Sequence, residues 1–279
     1  MPPEESLLLI VAITGRALAQ SARRGGYRPV VLDCFADADT RIAAEALHQV
    51  AEPATFRFSE ERLRDAARDV GPAPLVYGAG FEGRDRLLAR LTQNRPLFGN
   101  PADVMGTVRD PRQFFAALDE LRIPHPEVAY DPPGERDGWL VKEGGSGGGV
   151  QVRLAEAWRP DPAAYFQRLS PGIPMSALFL ANGTDALVLG FNEQWTAPQP
   201  GLPFVYGGAV SRIDLPVVAV NALTRAVNDL TAHFGLRGLN GLDFLWHQGD
   251  WSVLELNPRP TATVELYDPD YPTGLVDAH

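Results

Sequence analysis

One stretch near the C-terminal end leaves this chain little choice of local structure: Leu242-Asp243-Phe244-Leu245-Trp246-His247-Gln248-Gly249-Asp250-Trp251-Ser252-Val253-Leu254-Glu255-Leu256-Asn257-Pro258-Arg259-Pro260. Apolar and polar residues alternate on either side of Gly249. Strand side chains point alternately to two faces, so the pattern predicts a β-hairpin turning at Gly249. With a three-residue loop, Gln248 to Asp250, position 247 faces 251. Counting outward, Asp243 then falls opposite Glu255, and Asn257 lies one pleat further on the same face. The other face carries Leu242, Phe244, Trp246, Leu254 and Leu256, a core-facing set. Like charges opposed on a sheet destabilise it, so two carboxylates placed this way ask for a cation between them. Two carboxylates and an amide oxygen are the hard ligands that Mg²⁺ prefers. A two-residue loop would slip this register by one, and the plain alternative is a solvated face with two unrelated acids.

A cation site of this kind needs a folded body around it. At 279 residues and 45% apolar content the chain can bury a sizeable core, as two domains or as one domain with an elaborated lid. Lys and Arg total 25 against 35 Asp and Glu, a net charge of −10 with a pI near 5.0. That balance excludes a broad electrostatic footprint for nucleic acid or an anionic membrane, so a phosphate-bearing ligand would need a local basic site. The single cysteine, Cys34, excludes an intramolecular disulfide framework and a Cys-rich metal cluster, and it fits a reducing cytoplasm. The apolar run Leu7 to Ile13 is too short to cross a bilayer and follows Glu4 and Glu5 rather than a basic segment. It predicts a buried first strand.

The alternation continues with a helix over Arg16 to Arg24, a strand over Pro29 to Asp33, helices over Ile42 to Val50 and Glu60 to Val70, and a strand over Pro74 to Tyr77. The first hundred residues therefore predict a parallel-sheet α/β domain. Gly78-Ala79-Gly80-Phe81-Glu82-Gly83 is a literal GxGxxG after a strand, and Asp33 ends a strand as a ribose-binding acid would. The two belong to different βα units, which argues against a nicotinamide-dependent oxidoreductase. Gly80 and Glu82 are instead expected in a substrate-lining loop, and a helix-starting turn with no ligand is the alternative. Gly99-Asn100-Pro101 punctuates the chain and marks a boundary. Beyond it, Asp110 as N-cap and Pro111 at the first helical position predict a helix ending before Ile123-Pro124.

Trp139-Leu140-Val141-Lys142 predicts a strand that ends in a lysine. Gly144, Gly145, Ser146, Gly147, Gly148 and Gly149 follow, and a second strand is predicted from Val150. Residues without side chains let backbone N–H groups approach a phosphate, and a lysine at the loop base adds a point charge. No Gly-Lys-Ser/Thr follows, so this is not a P-loop. Strands are predicted at Met175 to Leu180, Ala186 to Phe191 and Phe204 to Tyr206, and a helix over Val217 to Phe234. Glu193, Gln194, Tyr206, Gly207, Gly208 and Arg212 fall on predicted loops, where they would line a substrate site.

Taken together, Lys142 with its glycines, then Asp243, then Glu255-Leu256-Asn257-Pro258-Arg259, in that order, resemble the ATP-grasp enzymes. The likeness covers residues from about 100 to 265. It implies an ATP-grasp fold with an N-terminal parallel-sheet, Rossmann-like unit: an α/β domain at 1–99, a small lobe with the Gly-rich flap at 100–169 and a metal-binding lobe at 170–279. By this resemblance Asp243, Glu255 and Asn257 would hold Mg²⁺, or Mn²⁺, on the phosphates of ATP. Arg259 would stabilise the transferred phosphoryl group, Lys142 would contact the α/β-phosphates, and Gly144 to Gly149 would form a flap that orders with nucleotide. Gln167, Arg168 and Leu169 occupy the hinge whose backbone pairs with the adenine edge. The acid often found beyond the hinge to hold the ribose is missing. The family's first phosphate-binding lysine falls on Pro111, which leaves Arg112 to serve in its place.

The implied activity is ADP-forming ligation of a small-molecule carboxylate to an amine through an acyl phosphate. The order of Gly-Asn-Pro, Gln-x-Leu-x-Pro-Gly and Asn-Pro-Arg-Pro is most similar to small ATP-grasp proteins that join an amino acid, often glutamate, to an amine in coenzyme biosynthesis. A catalytically silent ATP-binding protein is the alternative. Such proteins usually continue with a covering helix after the metal hairpin, so a trimmed chain with an apolar patch exposed beside Tyr267 and Leu275 is expected.

Overall fold

The computed structural model describes residues 6–279 except 54, 144–146, 160 and 162. β1 (Leu7–Val11), β2 (Arg28–Asp33), β3 (Ala46–Gln49), β4 (Leu75–Tyr77) and β5 (Leu97–Phe98) form a parallel sheet in the order β3-β2-β1-β4-β5. Helices α1 (Arg16–Arg24), α2 (Ala38–Ala43), α3 (Glu60–Val70) and α4 (Asp85–Thr92) alternate with its strands. Leu8 to Val11 are all fully buried, because crossover helices cover both faces of a parallel sheet and its central strand must be apolar throughout. The strand order reverses at β1, so the turns after β1 and β4 open side by side into a crevice.

The expected helix over Ile42 to Val50 is not found. Asp37 caps α2 by accepting from the Thr40 N–H at 2.7 Å, and the helix ends at Ala43 because Ala44 turns extended. Residues 46–49 then pair with β2, where Leu47 lies beside Val31. A short apolar run does not distinguish helix from strand, and a free sheet edge decided it.

α5 (Ala102–Arg109) and α6 (Pro111–Leu121) lead into the second half. Asp110 caps α6 as expected, its Oδ1 accepting from the N–H groups of Arg112 and Gln113 at 2.8 and 3.2 Å. β6 (Val128–Ala129), β7 (Trp139–Glu143), β8 (Val152–Leu154) and β9 (Ala164–Arg168) form an antiparallel sheet in the order β6-β9-β7-β8. A second antiparallel sheet follows, in the order β12-β11-β10-β13-β14. It contains β10 (Ile173–Asn182), β11 (Ala186–Thr196), β12 (Tyr206–Ser211), β13 (Arg237–His247) and β14 (Asp250–Asn257), with α7 (Val217–Phe234) packed on it. Its core joins Phe114, Phe115, Phe179, Leu230, Phe244 and Val253.

The β13–β14 hairpin reaches the expected pairing by another route. Its loop has two residues, Gln248 (φ 52°) and Gly249 (φ 97°), both left-handed as a tight hairpin turn requires, so His247 faces Asp250. Phe244 pairs with Val253, and a bulge then inserts Leu254 and restores Asp243 to Glu255. Val253 rather than Leu254 therefore enters the core, and Leu254 is turned to the other face.

The last residues, with α8 (Val264–Tyr267) and α9 (Leu275–Ala278), return to α1. Asp268 accepts from Ser21 Oγ at 2.6 Å and from the Leu275 N–H at 2.7 Å, and it pairs with Arg24. The apolar patch expected beside Tyr267 and Leu275 is not exposed: they are 5% and 0% accessible and pack with Leu178 and Leu239. No helix among the described residues is long and apolar enough to cross a membrane.

Candidate functional site

β7, β13 and β14 bring three charged side chains into the interior. Lys142 pairs through its backbone with Val152 and Tyr165, and its side chain is buried. Burial pushes its ammonium below the usual lysine range, while the carboxylates of Glu255 and Asp243 push the other way. Asp243 and Glu255 face each other across the hairpin. Burial and the charge of Glu255 hold Asp243 up to about 7. Burial also works against the charge of Glu255, but Arg109, whose guanidinium lies 3.8 Å away, outweighs it with Lys142 and Arg259, and Glu255 stays below the ordinary glutamate range.

Amides complete the acid pair. Gln194 Nε2 donates to Asp243 Oδ1 at 3.2 Å, and Asn257 Nδ2 donates to Asp243 Oδ2 at 2.9 Å. Arg259, buried beyond the hairpin, donates from Nη2 to Asn257 Oδ1 at 3.4 Å, from Nη1 to the Pro260 carbonyl at 3.2 Å and from Nε to Glu82 Oε1 at 2.6 Å. The second oxygen of Glu82 accepts from the Gly80 N–H at 2.7 Å. Among the described residues no cluster of three His, Cys, Asp or Glu side chains occurs, so a cation here would rest on two carboxylates and an amide. That hard, partial donor set suits Mg²⁺, which keeps room for water and phosphate oxygens.

Two cavities meet at Arg259. The smaller, about 480 Å³, is lined by Lys142, Asp243, Glu255, Asn257, Gly148, Gly149, Gln167, Arg168 and Leu169, with Leu140 and Leu254 as its apolar walls. The Gln167 side chain is buried and neither of its amide atoms has a partner among the described residues. Buried polar groups left so are costly, and a planar ligand edge offering both a donor and an acceptor would satisfy them. Gly147 also approaches the pair, since a Cβ built on it would lie 3.5 Å from Arg259 Nη2 and 3.6 Å from Glu82 Oε1. Of the expected flap, Gly144, Gly145 and Ser146 lie outside the described residues. Its end is a turn with Gly148 and Gly149 at φ 69° and 76°, so the strand expected from Val150 begins at Val152.

The larger cavity, about 1450 Å³, opens at the strand-order reversal of the parallel sheet and is lined by Gly80, Glu82, Arg112, Gly147, Tyr206 and Arg259 among others. Here several expectations need correction. Arg112 does not join Lys142; it is exposed and its guanidinium lies 4.2 Å above the Tyr130 ring, whereas Arg109, three residues earlier, reaches Glu255. Glu193, Gly208 and Arg212 line neither cavity. Glu193, Gln194, Tyr206, Gly207 and Gly208 are strand residues rather than loop residues, and strand alternation sends Gln194 inward and Glu193 out to solvent. Gly207 and Gly208 make room for the Trp195 indole, which a Cβ on either would strike. Arg212 pairs with Asp270, both bonds at 2.8 Å. Arg109 escaped the sequence reading because only packing of α5 against β14 brings it to Glu255.

Comparison with known proteins agrees with this geometry. A family model described as an ATP-grasp domain matches residues 108–263. The chain is 28% identical over 230 residues to a carbamoyl phosphate synthase large chain from Thermomicrobium roseum, across 73% of this chain and 21% of that one. It thus spans about a fifth of the length of that curated relative. Among solved structures, the ADP complex of purK, an N5-carboxyaminoimidazole ribonucleotide synthetase, superposes with a TM-score of 0.74 at 14% identity, over 99% of this chain and 76% of its own. An L-amino acid ligase from Bacillus licheniformis gives 0.73 at 17% identity, over 95% and 70%. An ATP-grasp superfamily protein from Archaeoglobus fulgidus gives 0.67 at 18% identity, over 98% and 87%.

Proposed function

The chain belongs to the ATP-grasp domain family, and on that premise we propose that it is an ADP-forming ligase joining a carboxylate to an amine. The observation that carries this reading is the convergence of Lys142, Asp243, Glu255, Asn257 and Arg259, from three strands and a loop, on one cavity. In this reading residues 1–99 are the N-terminal unit, 100–169 the small lobe and 170–279 the metal-binding lobe.

ATP would lie in the smaller cavity with its base at Gln167, Arg168 and Leu169, and its phosphates between Lys142 and the turn at Gly148 and Gly149. Asp243, Glu255 and Asn257 would hold Mg²⁺, or Mn²⁺; bound there it supplies charge neutralisation for the phosphates. A co-substrate carboxylate oxygen attacks the γ-phosphorus, the bond to the β-phosphate oxygen breaks and ADP leaves. The amine nitrogen then attacks the acyl carbon, the C–O bond to phosphate breaks, and inorganic phosphate and a proton depart. Through both steps the guanidinium of Arg259, its plane set by Glu82, faces the developing negative charge, and Lys142 offers a second cation. Fixed charges in a site closed to water account for most of the rate in such chemistry.

The neighbouring L-amino acid ligase favours an amino acid as one co-substrate, and joining glutamate to an amine in coenzyme biosynthesis is the narrower form of the proposal. Both co-substrates are small molecules, and the buried thiol of Cys34 fits a cytoplasmic location. The test is ADP and phosphate release when the protein and Mg²⁺-ATP meet panels of amino acids and amines. Turnover that requires both co-substrates supports the ligase. Tight Mg²⁺-ATP binding without turnover on any pair would make this a nucleotide-binding protein instead.

A further inference from the structure

The wall of the larger cavity carries two aromatic rings in the open. Phe35 and Phe56 are 46% and 67% accessible, and their ring centroids lie 5.3 Å apart with the planes tilted by 34°. Burying an aromatic side chain is favourable, so leaving both exposed forgoes stability unless something covers them. Phe35 is held in that position by a built loop. Asp33, fully buried, accepts from the N–H groups of Phe35 and Ala36 at 3.1 and 2.7 Å, and its other oxygen accepts from the Gly15 N–H at 3.2 Å. Ala36 takes a left-handed φ of 52°, a strained conformation for a residue with a side chain. Asp33 thereby presents Phe35, and at 0% accessible it is not open to a nucleotide ribose.

The two rings share this cavity with Glu82 and Arg259, and at about 1450 Å³ it exceeds what a small polar co-substrate would fill. Resting on the ligase reading above, we propose that the larger cavity takes an aromatic co-substrate, its ring against Phe35 and Phe56 and its reacting carboxylate or amine at the Glu82–Arg259 pair. Aromatic rings attract one another beyond their area burial, so an aryl group gains on this wall what an alkyl chain of similar bulk does not.

Binding of four probes to the full chain with Mg²⁺-ADP, followed by saturation-transfer NMR, tests this: 3-phenylpropanoate and phenethylamine against hexanoate and hexylamine. An aryl probe should bind about tenfold more tightly than its alkyl match and lose about that factor in the Phe35→Ala/Phe56→Ala double variant. The Phe35→Leu/Phe56→Leu variant keeps the bulk without the aromatic face and should lose the preference too. Binding of the phenyl acid alone or the phenyl amine alone supports the proposal and tells which co-substrate carries the ring. Equal binding of aryl and alkyl probes, aryl binding that survives both variants, or no aryl binding overturns it. ADP release is measured separately, so a missing ligase activity leaves the outcome for the ring site readable.

Discussion

Glu82 and Arg259, 177 positions apart in the chain, meet through a 2.6 Å hydrogen bond between Oε1 and Nε, and both side chains are buried. The bond ties the turn after β4 to the end of the β14 strand and sets the plane of the guanidinium. Arg259 holds Glu82 below the usual carboxylate range against the effect of burial, so the pair is charged on both sides. Glu82→Gln keeps the shape and removes the charge. We expect ligase kcat to fall by about a hundredfold, in the range seen when a stabilising hydrogen bond to transition-state charge is lost, while ATP affinity stays as in the wild type. Steady-state kinetics beside an ATP titration check this. Equal losses in both would make the pair a general support of the fold.

Asp243→Asn tests the acid pair. Opposed like charges cost on the order of 0.2–1 kcal/mol, so the variant without nucleotide should be as stable as the wild type or slightly more so. Mg²⁺-ATP at about a hundred times its Kd should stabilise the wild type by roughly 2.7 kcal/mol, several degrees in a thermal melt, and most of that rise should vanish in the variant. A variant that melts clearly earlier without nucleotide and keeps its full ATP-dependent rise would mark Asp243 as purely structural.

Gly149 has no room for a side chain: at φ 76° its Cβ would lie 1.8 Å from the Phe204 carbonyl oxygen. Next to it the Gly148 carbonyl accepts from the Tyr206 N–H at 2.9 Å. In Gly149→Ala this end of the glycine loop must move off the β11–β12 connection. The KM for ATP should rise by roughly tenfold, the equivalent of about 1.4 kcal/mol, with little change in melting temperature because the loop adds few core contacts. An unchanged KM would separate the loop from nucleotide binding.

His279 carries a pH dependence. Its imidazole is wedged between Gly99 and Gly238, Nδ1 accepts from the Leu239 N–H at 2.7 Å, and burial pushes its pKa down to about 4. A group whose folded pKa is depressed contributes stability above its unfolded value, near 6.5, and loses it as pH falls toward 4. The loss should be up to about 3 kcal/mol across that window. His279→Asn offers an acceptor that does not titrate, so in denaturant melts the wild type should lose more stability between pH 7 and pH 4 than the variant does. Parallel losses would assign the acid sensitivity to the carboxylates.

Much of the site was legible in the sequence because its signals are local. A lysine before a run of glycines, a helix capped by Asp110 and Pro111, and Glu255-x-Asn257-Pro258-Arg259 each follow from backbone conformation within a few residues. The facing of Asp243 and Glu255 was also legible, although the expected three-residue loop is in fact a two-residue loop, and the bulge at Leu254 restores the residue that the shorter loop takes from the count. Turn type depends on φ at Gln248, which no periodicity reveals.

The sequence by itself determined which acids, amides and cations were available to a site, because charge type and alternation belong to the residues. Tertiary structure alone decided which of them meet. Arg109 rather than Arg112 reaches Glu255, Gln194 rather than Glu193 turns inward, and Glu82 locks Arg259 from the other half of the chain. The two arginine choices are made by packing between segments far apart in the chain, where an opposite charge arriving from another element offsets the cost of burying a charge, and Gln194 finds Asp243 only because β11 and β13 flank β10 in one sheet.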